Sequence, residues 1–175
     1  MKRKMTIYLS IILVATTFLS PTAHSFAEEE FHRTYTIDPG TRVEFENRNG
    51  KVYICSWDKD YVDVFAVKQT EGDRDELDRV TIEVNTNGFL EIKTVYEKND
   101  NSEKDSFFRR IFGIGSNTIP QVTVDYTIKL PVTAFLRNAN IRNGSIEIHD
   151  TRGDMTVHSR NGKIFLDNAD ECIEA

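Results

Sequence analysis

Cysteine, proline, tryptophan and helical periodicity are all scarce. The 175 residues include two cysteines, four prolines and one tryptophan. Two cysteines cannot build the dense bridge framework that holds together a small secreted domain. Cys55 and Cys172 lie near opposite ends of the chain, where Cα atoms rarely come within the roughly 4.4–6.8 Å that a disulfide spans. Two small buried side chains are therefore expected in place of a bridge. No Gly/Ser- or Pro-rich stretch divides the chain, so 28–175 reads as one domain. Apolar spacing near 3.6 residues is confined to the N-terminal segment and to short tracts at 74–79 and 106–112. The fold class expected is all-β.

A basic excess is missing too. Lys and Arg total 22 against 28 Asp and Glu, a net charge of −6. Residues 1–27 hold three positive and no negative side chains, which takes the remainder to −9. Such a chain is a poor match to nucleic acid, whose phosphates demand a basic footprint, and to an anionic membrane surface. Convincing catalytic clusters are likewise lacking. Ser145 or Ser159 could be grouped with His149 or His158, but no nucleophile elbow or oxyanion motif accompanies them. Glu147 and Asp150 are weak counterparts of a glycosidase carboxylate pair. The chain is expected not to be an enzyme and to need no cofactor.

What is present begins with an export signal. Lys2, Arg3 and Lys4 precede an apolar run from Ile7 to Leu19, and Ser25-Phe26-Ala27 supplies small residues for cleavage after Ala27. The run is short beside the roughly 20 residues of a membrane span. Residues 1–27 are read as a signal peptide, and the protein as exported: periplasmic, surface-bound or secreted. Glu28-Glu29-Glu30 reads as a solvated start.

Period-two alternation then marks strands at Val43–Glu46, Val52–Ile54, Val62–Val67, Val80–Val84, Leu90–Thr94 and Val122–Leu130. Val62–Val67 is apolar on both faces and is expected to be covered on both. Asp73–Asp78 suits a helical turn or a charged loop, and Trp57 suits the core.

From Leu136 onward a repeat takes over. Glycines 144, 153 and 162 are spaced evenly, each ahead of a short apolar strand. Arg142-Asn143-Gly144 recurs as Arg160-Asn161-Gly162 and is announced by Arg48-Asn49-Gly50. Asn-Gly can close a hairpin or turn the corner of a solenoid. A fixed period favours a β-solenoid, in which units bury their apolar faces by stacking. The expected architecture is a β-rich part over 31–131 running into stacked repeats over 132–175.

The order Thr36-Ile37-Asp38-Pro39-Gly40, Val43–Val52, Trp57–Val62, Val124–Pro131 and then the Asn-Gly repeats resembles a bacterial family of exported adhesin-like domains of unknown function. That resemblance covers about 31–168. It implies a single-stranded, right-handed β-helix-like stack, no known catalysis, and no functional residues to transfer. It departs from the family in two ways, the insert at 106–114 and an early stop: members usually continue the repeats past the point matching Ala175, and a continuation here would make this chain a front portion.

That insert carries the candidate binding residues Phe107, Phe108, Arg109, Arg110 and Phe112, four large apolar side chains with Ile111 around two arginines. They suit a partner site or a flap that covers an open face of the stack. Arg152-Gly153-Asp154 is read as a turn, since Arg-Asn-Gly fills that position elsewhere. His149, His158 and Asp167 would form a metal-binding column only if each nine-residue unit were a full coil. The overall reading is a non-catalytic adhesin-like module with an envelope, glycan or protein partner. A carbohydrate-active enzyme and an end-to-end self-assembling scaffold are the rivals. Rapid tryptic cleavage after Arg109 or Arg110 marks an exposed partner segment; protection marks the flap.

Overall fold

The computed structural model describes residues 26–97 and 119–167. Eleven strands and one helical turn follow in order: β1 (Ala27–Thr36), β2 (Arg42–Asn49), β3 (Val52–Trp57), β4 (Tyr61–Thr70), α1 (Asp75–Asp78), β5 (Val80–Asn85), β6 (Leu90–Tyr96), β7 (Thr123–Pro131), β8 (Phe135–Asn143), β9 (Ile146–His149), β10 (Thr156–Asn161) and β11 (Ile164–Asp167). They form two sheets, ordered β1-β4-β7-β3-β9-β11 and β10-β8-β2-β6-β5.

Alternation in the sequence decides which faces are buried. Val62, Val64 and Ala66 of β4 and Val124, Tyr126, Ile128 and Leu130 of β7 all face inward and are nearly inaccessible. Phe45, Leu90, Ile92, Leu136 and Ile141 do the same for the second sheet. One apolar cluster joins these residues. Phe45 and Tyr126 meet edge to face across it at 5.0 Å. Burying each such side chain contributes roughly 1.5–3 kcal/mol. The outer face of β4 is covered only in part: Phe65 and Val67 are half-buried, with the His32 ring against Phe65.

The Asn-Gly pairs at 49–50, 143–144 and 161–162 turn corners between sheets and do not close hairpins. β2 passes to β3, β8 to β9 and β10 to β11, each time moving from the five-stranded to the six-stranded sheet. The successive layers pair in parallel: Asn138 lies opposite Thr156 and Ile146 opposite Ile164, eighteen positions apart. Nine residues are therefore half a layer. At the corners the asparagines form a ladder. Asn161 Nδ2 donates to Asn143 Oδ1 at 2.8 Å, and Asn143 Nδ2 donates to Asn49 Oδ1 at 2.7 Å. The glycines beside them let backbones touch. A Cβ at Gly162 would collide with the Gly144 carbonyl, and one at Gly144 with the Gly50 carbonyl.

The single-stranded right-handed β-helix is corrected here. Both sheets are mixed. β1 and β7 flank β4 antiparallel, and β5–β6 is an antiparallel pair. Asn87-Gly88 closes β5 and β6 as a hairpin, and the turn between Trp57 and Tyr61 sends β4 back antiparallel on the far side of β7 from β3. Nor is β2–β3 a separate front part, because it pairs directly with β8 and β9.

Two further expectations change. Residues 28–36 are not a loose lead-in but most of an edge strand, whose first residue, Ala27, is buried opposite Thr70. Cys55 is buried as expected yet disulfide-bonded; Cys172 lies outside the described residues. The charged tract at 73–78 is one helical turn that buries Leu77. Lys68 ties that turn to the sheet, donating to the Leu77 and Val80 carbonyls at 3.1 Å and pairing with Glu29 at 2.7 Å. Trp57 is buried, with Lys59 and Lys129 against its ring.

Gly144→Ala must relieve a backbone collision at a φ of +143°, whereas Gly88, at +82°, has open space around it. Urea denaturation is expected to show Gly144→Ala destabilised by about 3 kcal/mol or more, and Gly88→Ala by about 1 kcal/mol. Asn143→Ala, which leaves Asn49 and Asn161 without their shared partner, is expected to cost about 1–3 kcal/mol.

Candidate functional site

The corner geometry fixes a row of side chains on the outer face of the five-stranded sheet. Asn47 opposes Ile141 and Asn49 opposes Asn143, while Ser159 and Asn161 continue the two rows on β10. Arg48, Arg142 and Arg160 stand between these pairs, one residue ahead of each corner asparagine. Their neighbours Asn47 and Ile141 are buried, so strict alternation sends the arginines outward. Adjacent strands lie about 4.8 Å apart, and the three form a column across β2, β8 and β10.

This column is not needed to build the corner. Asparagine supplies the ladder and glycine the close approach. Arg142 and Arg160 are exposed, and neither meets a carboxylate among the described residues. Arg48 is half-buried, its guanidinium 5.7 Å from the centre of the Tyr96 ring. The nearest acid along β2, Glu46, is engaged by Lys93 at 3.0 Å. Three like charges at neighbouring rungs repel one another by up to about 1 kcal/mol per pair even in water.

Two shallow grooves flank Arg142. One, of about 320 Å³, is lined by Glu46, Asn140, Arg142, His158 and Arg160. The other, of about 260 Å³, is lined by Arg48, Lys93, Tyr96 and Arg142. A larger groove of about 430 Å³ lies elsewhere, between Thr70, Gly72 and Gln121. Its acid Glu76 accepts from Thr70 at 3.0 Å, and no cluster of titratable side chains converges there.

The expected binding residues Phe107, Phe108, Arg109, Arg110 and Phe112 lie outside the described residues. The residues described on either side are Glu97 and Ile119. Tyr96 Oη donates to the Val122 carbonyl at 3.3 Å, so these two described ends are joined beside Arg48. His149 and His158 fall on different sheets and form no column. His149 Nε2 lies 2.8 Å from Glu147 Oε1, and its ring rests between Tyr53 and Phe165. Among the described residues no three His, Cys, Asp or Glu converge as metal ligands. Ser159 Oγ donates to the Gly144 carbonyl at 3.2 Å and so helps to hold a corner. Arg152 bridges to Phe135, and Gly153 packs against that ring. The arginine column was missed because Arg-Asn-Gly reads as turn chemistry. Its third recurrence was the available signal, since a turn needs no arginine.

Burial pushes the Tyr96 phenol up to about 12, against smaller pulls from the Asn49 backbone and the Arg48 charge. Tyr126, which shares a 2.7 Å hydrogen bond with Thr94 Oγ1 in the core, is raised further by the same cause. Between the free phenol value near 10 and these raised values the unfolded chain loses protons that the native protein keeps. Stability is therefore expected to be intact below pH about 10 and to fall as pH rises from there toward 12. Urea midpoints across that range test this, and Tyr96→Phe should flatten the fall.

No protein-family model matches the chain, and none of the curated proteins does. Among the described residues no helix is long and apolar enough to cross a membrane. Two solved structures are similar at low identity. A candidate cell adhesion protein from Clostridium sporogenes is 10% identical, with a TM-score of 0.37 over 79% of this chain and 59% of that one. A candidate adhesin from Bacteroides fragilis is 13% identical, with a TM-score of 0.35 over 78% of this chain and 61% of that one. The chain thus spans about three fifths of each of these proteins.

Proposed function

We propose that the protein is a non-catalytic, exported adhesin-like module that binds an extended partner at the bacterial envelope. The observation that carries this reading is the outer face of the five-stranded sheet. It is open, polar and shallowly grooved, and it presents unneutralised arginines in a line. Shallow faces of this kind suit long ligands, while small-molecule sites are concave and mostly apolar. The basic start and apolar run at 2–19 support export.

Retention on isolated bacterial envelope material tests the module. Labelled protein is expected to bind saturably and to be displaced by excess unlabelled protein; non-saturable or absent retention counts against it. Deleting 106–114 from the same protein asks whether Phe107 to Phe112 contribute. Glu147→Gln addresses the enzyme rival and is expected to leave retention intact, with no polysaccharide turnover to lose.

A second reading, self-association, is favoured by the edge formed by β10 and β11. Ile164 and Leu166 stand in register with the buried Ile146 and Ile148, yet they are 43% and 54% exposed. No further strand lies over them among the described residues. Light scattering is expected to show concentration-dependent association with a second copy, weakened by Leu166→Lys. A strict monomer at all concentrations removes this reading.

A further inference from the structure

We infer that the column of Arg48, Arg142 and Arg160 binds the carboxylate groups of a linear acidic polysaccharide. The inference rests on the binding-module reading and names the ligand class of its sheet face. Three observations carry it. First, the corner is built by Asn49, Asn143 and Asn161 and by the glycines, while Arg142 and Arg160 meet no carboxylate among the described residues and Arg48 lies against the Tyr96 ring. Like charges opposite one another on adjacent strands oppose folding, so an anion that bridges them relieves a strain already in place. Second, guanidinium groups offer paired donors that match a carboxylate in two-point fashion. Third, on β10 and β8 the rows beside the column carry no carboxylate and are rich in donors and acceptors; their continuations on β2 are Glu46, paired with Lys93, and Glu44. Asn140 and His158 lie opposite each other in one row, Asn138 and Thr156 in the next. Amides, imidazole and hydroxyl suit sugar hydroxyls.

The alternative polyanion, nucleic acid, fits less well. Three cations are few beside the six to ten phosphate contacts that give a nucleic-acid binder its affinity. Among the described residues the rows beside the column offer no aromatic platform for bases: Tyr96 is turned toward the Val122 carbonyl, and the exposed Phe135 lies at the other end of β8. Polygalacturonate matches the inferred chemistry: one carboxylate per sugar, hydroxyls between.

Calorimetric titration of the full chain with polygalacturonate, uncharged dextran, polyphosphate and single-stranded DNA tests the assignment. Polygalacturonate is expected to bind, dextran not to, and affinity to fall with added salt. Arg142→Ala combined with Arg160→Ala should weaken binding by about tenfold or more. Arg152→Ala, off the column, should leave it unchanged. Both substituted arginines are exposed and meet no carboxylate among the described residues, so the thermal midpoint should hold, separating lost binding from lost fold. Equal binding of dextran, or an unaffected double variant, overturns the proposal. Tighter binding of polyphosphate or DNA overturns the polysaccharide assignment. If the double variant still holds to envelope material as the parent does, the module reading survives and the arginine column does not. If neither protein is retained, the module reading falls as well.

Discussion

The contact between carbonyls and glycines at the Asn-Gly corners constrains everything else. At Gly144 and Gly162 the preceding layer's carbonyl occupies the space that a side chain would need. The asparagine amides can reach one another only because the layers are that close, and their bonds of 2.7 and 2.8 Å lock the register. A slip of one residue would turn Ile146 and Ile148 outward and send charged neighbours into the core. Register, core composition and the outward line of arginines are thus one decision made at three corners.

β7 is where the two kinds of pairing meet. It runs parallel to β3 and antiparallel to β4, and so joins the parallel layers to the antiparallel pair β4 and β1. Its Tyr126 faces the core, touches Phe45 edge to face and satisfies its hydroxyl on Thr94. Asn47 Nδ2 donates to the Val124 carbonyl at 2.8 Å from the other sheet. These polar contacts spare the inner face from unsatisfied groups at the point where the sheets converge.

Much of the fold was legible in the residues. Alternation marked the strands from Val43 to Leu130, and the eighteen-residue recurrence of Arg-Asn-Gly matched the true layer spacing. What was not legible were partners. Period-two patterning tells which face is buried but not which strand lies alongside, so the antiparallel pairing of β1 with β4 was invisible. The acidic start looked solvated because an edge strand exposes most of its side chains. The buried Lys68 gave no sign of its role, since its carbonyl partners around α1 are set by tertiary folding. Legibility of the candidate surface was partial for a related reason: a turn motif and a binding column can share the same three letters.

The two flanks of the six-stranded sheet differ. At one, β1 carries Glu28, Glu29 and Glu30 along an antiparallel border. At the other, β11 leaves Ile164, Phe165 and Leu166 bare beside a parallel neighbour. A copy docking on the bare flank finds no matching receptor on the charged one. On the self-association reading, growth head to tail is disfavoured, and pairing through β11 is expected to be twofold and self-terminating, a closed pair and not a fibre.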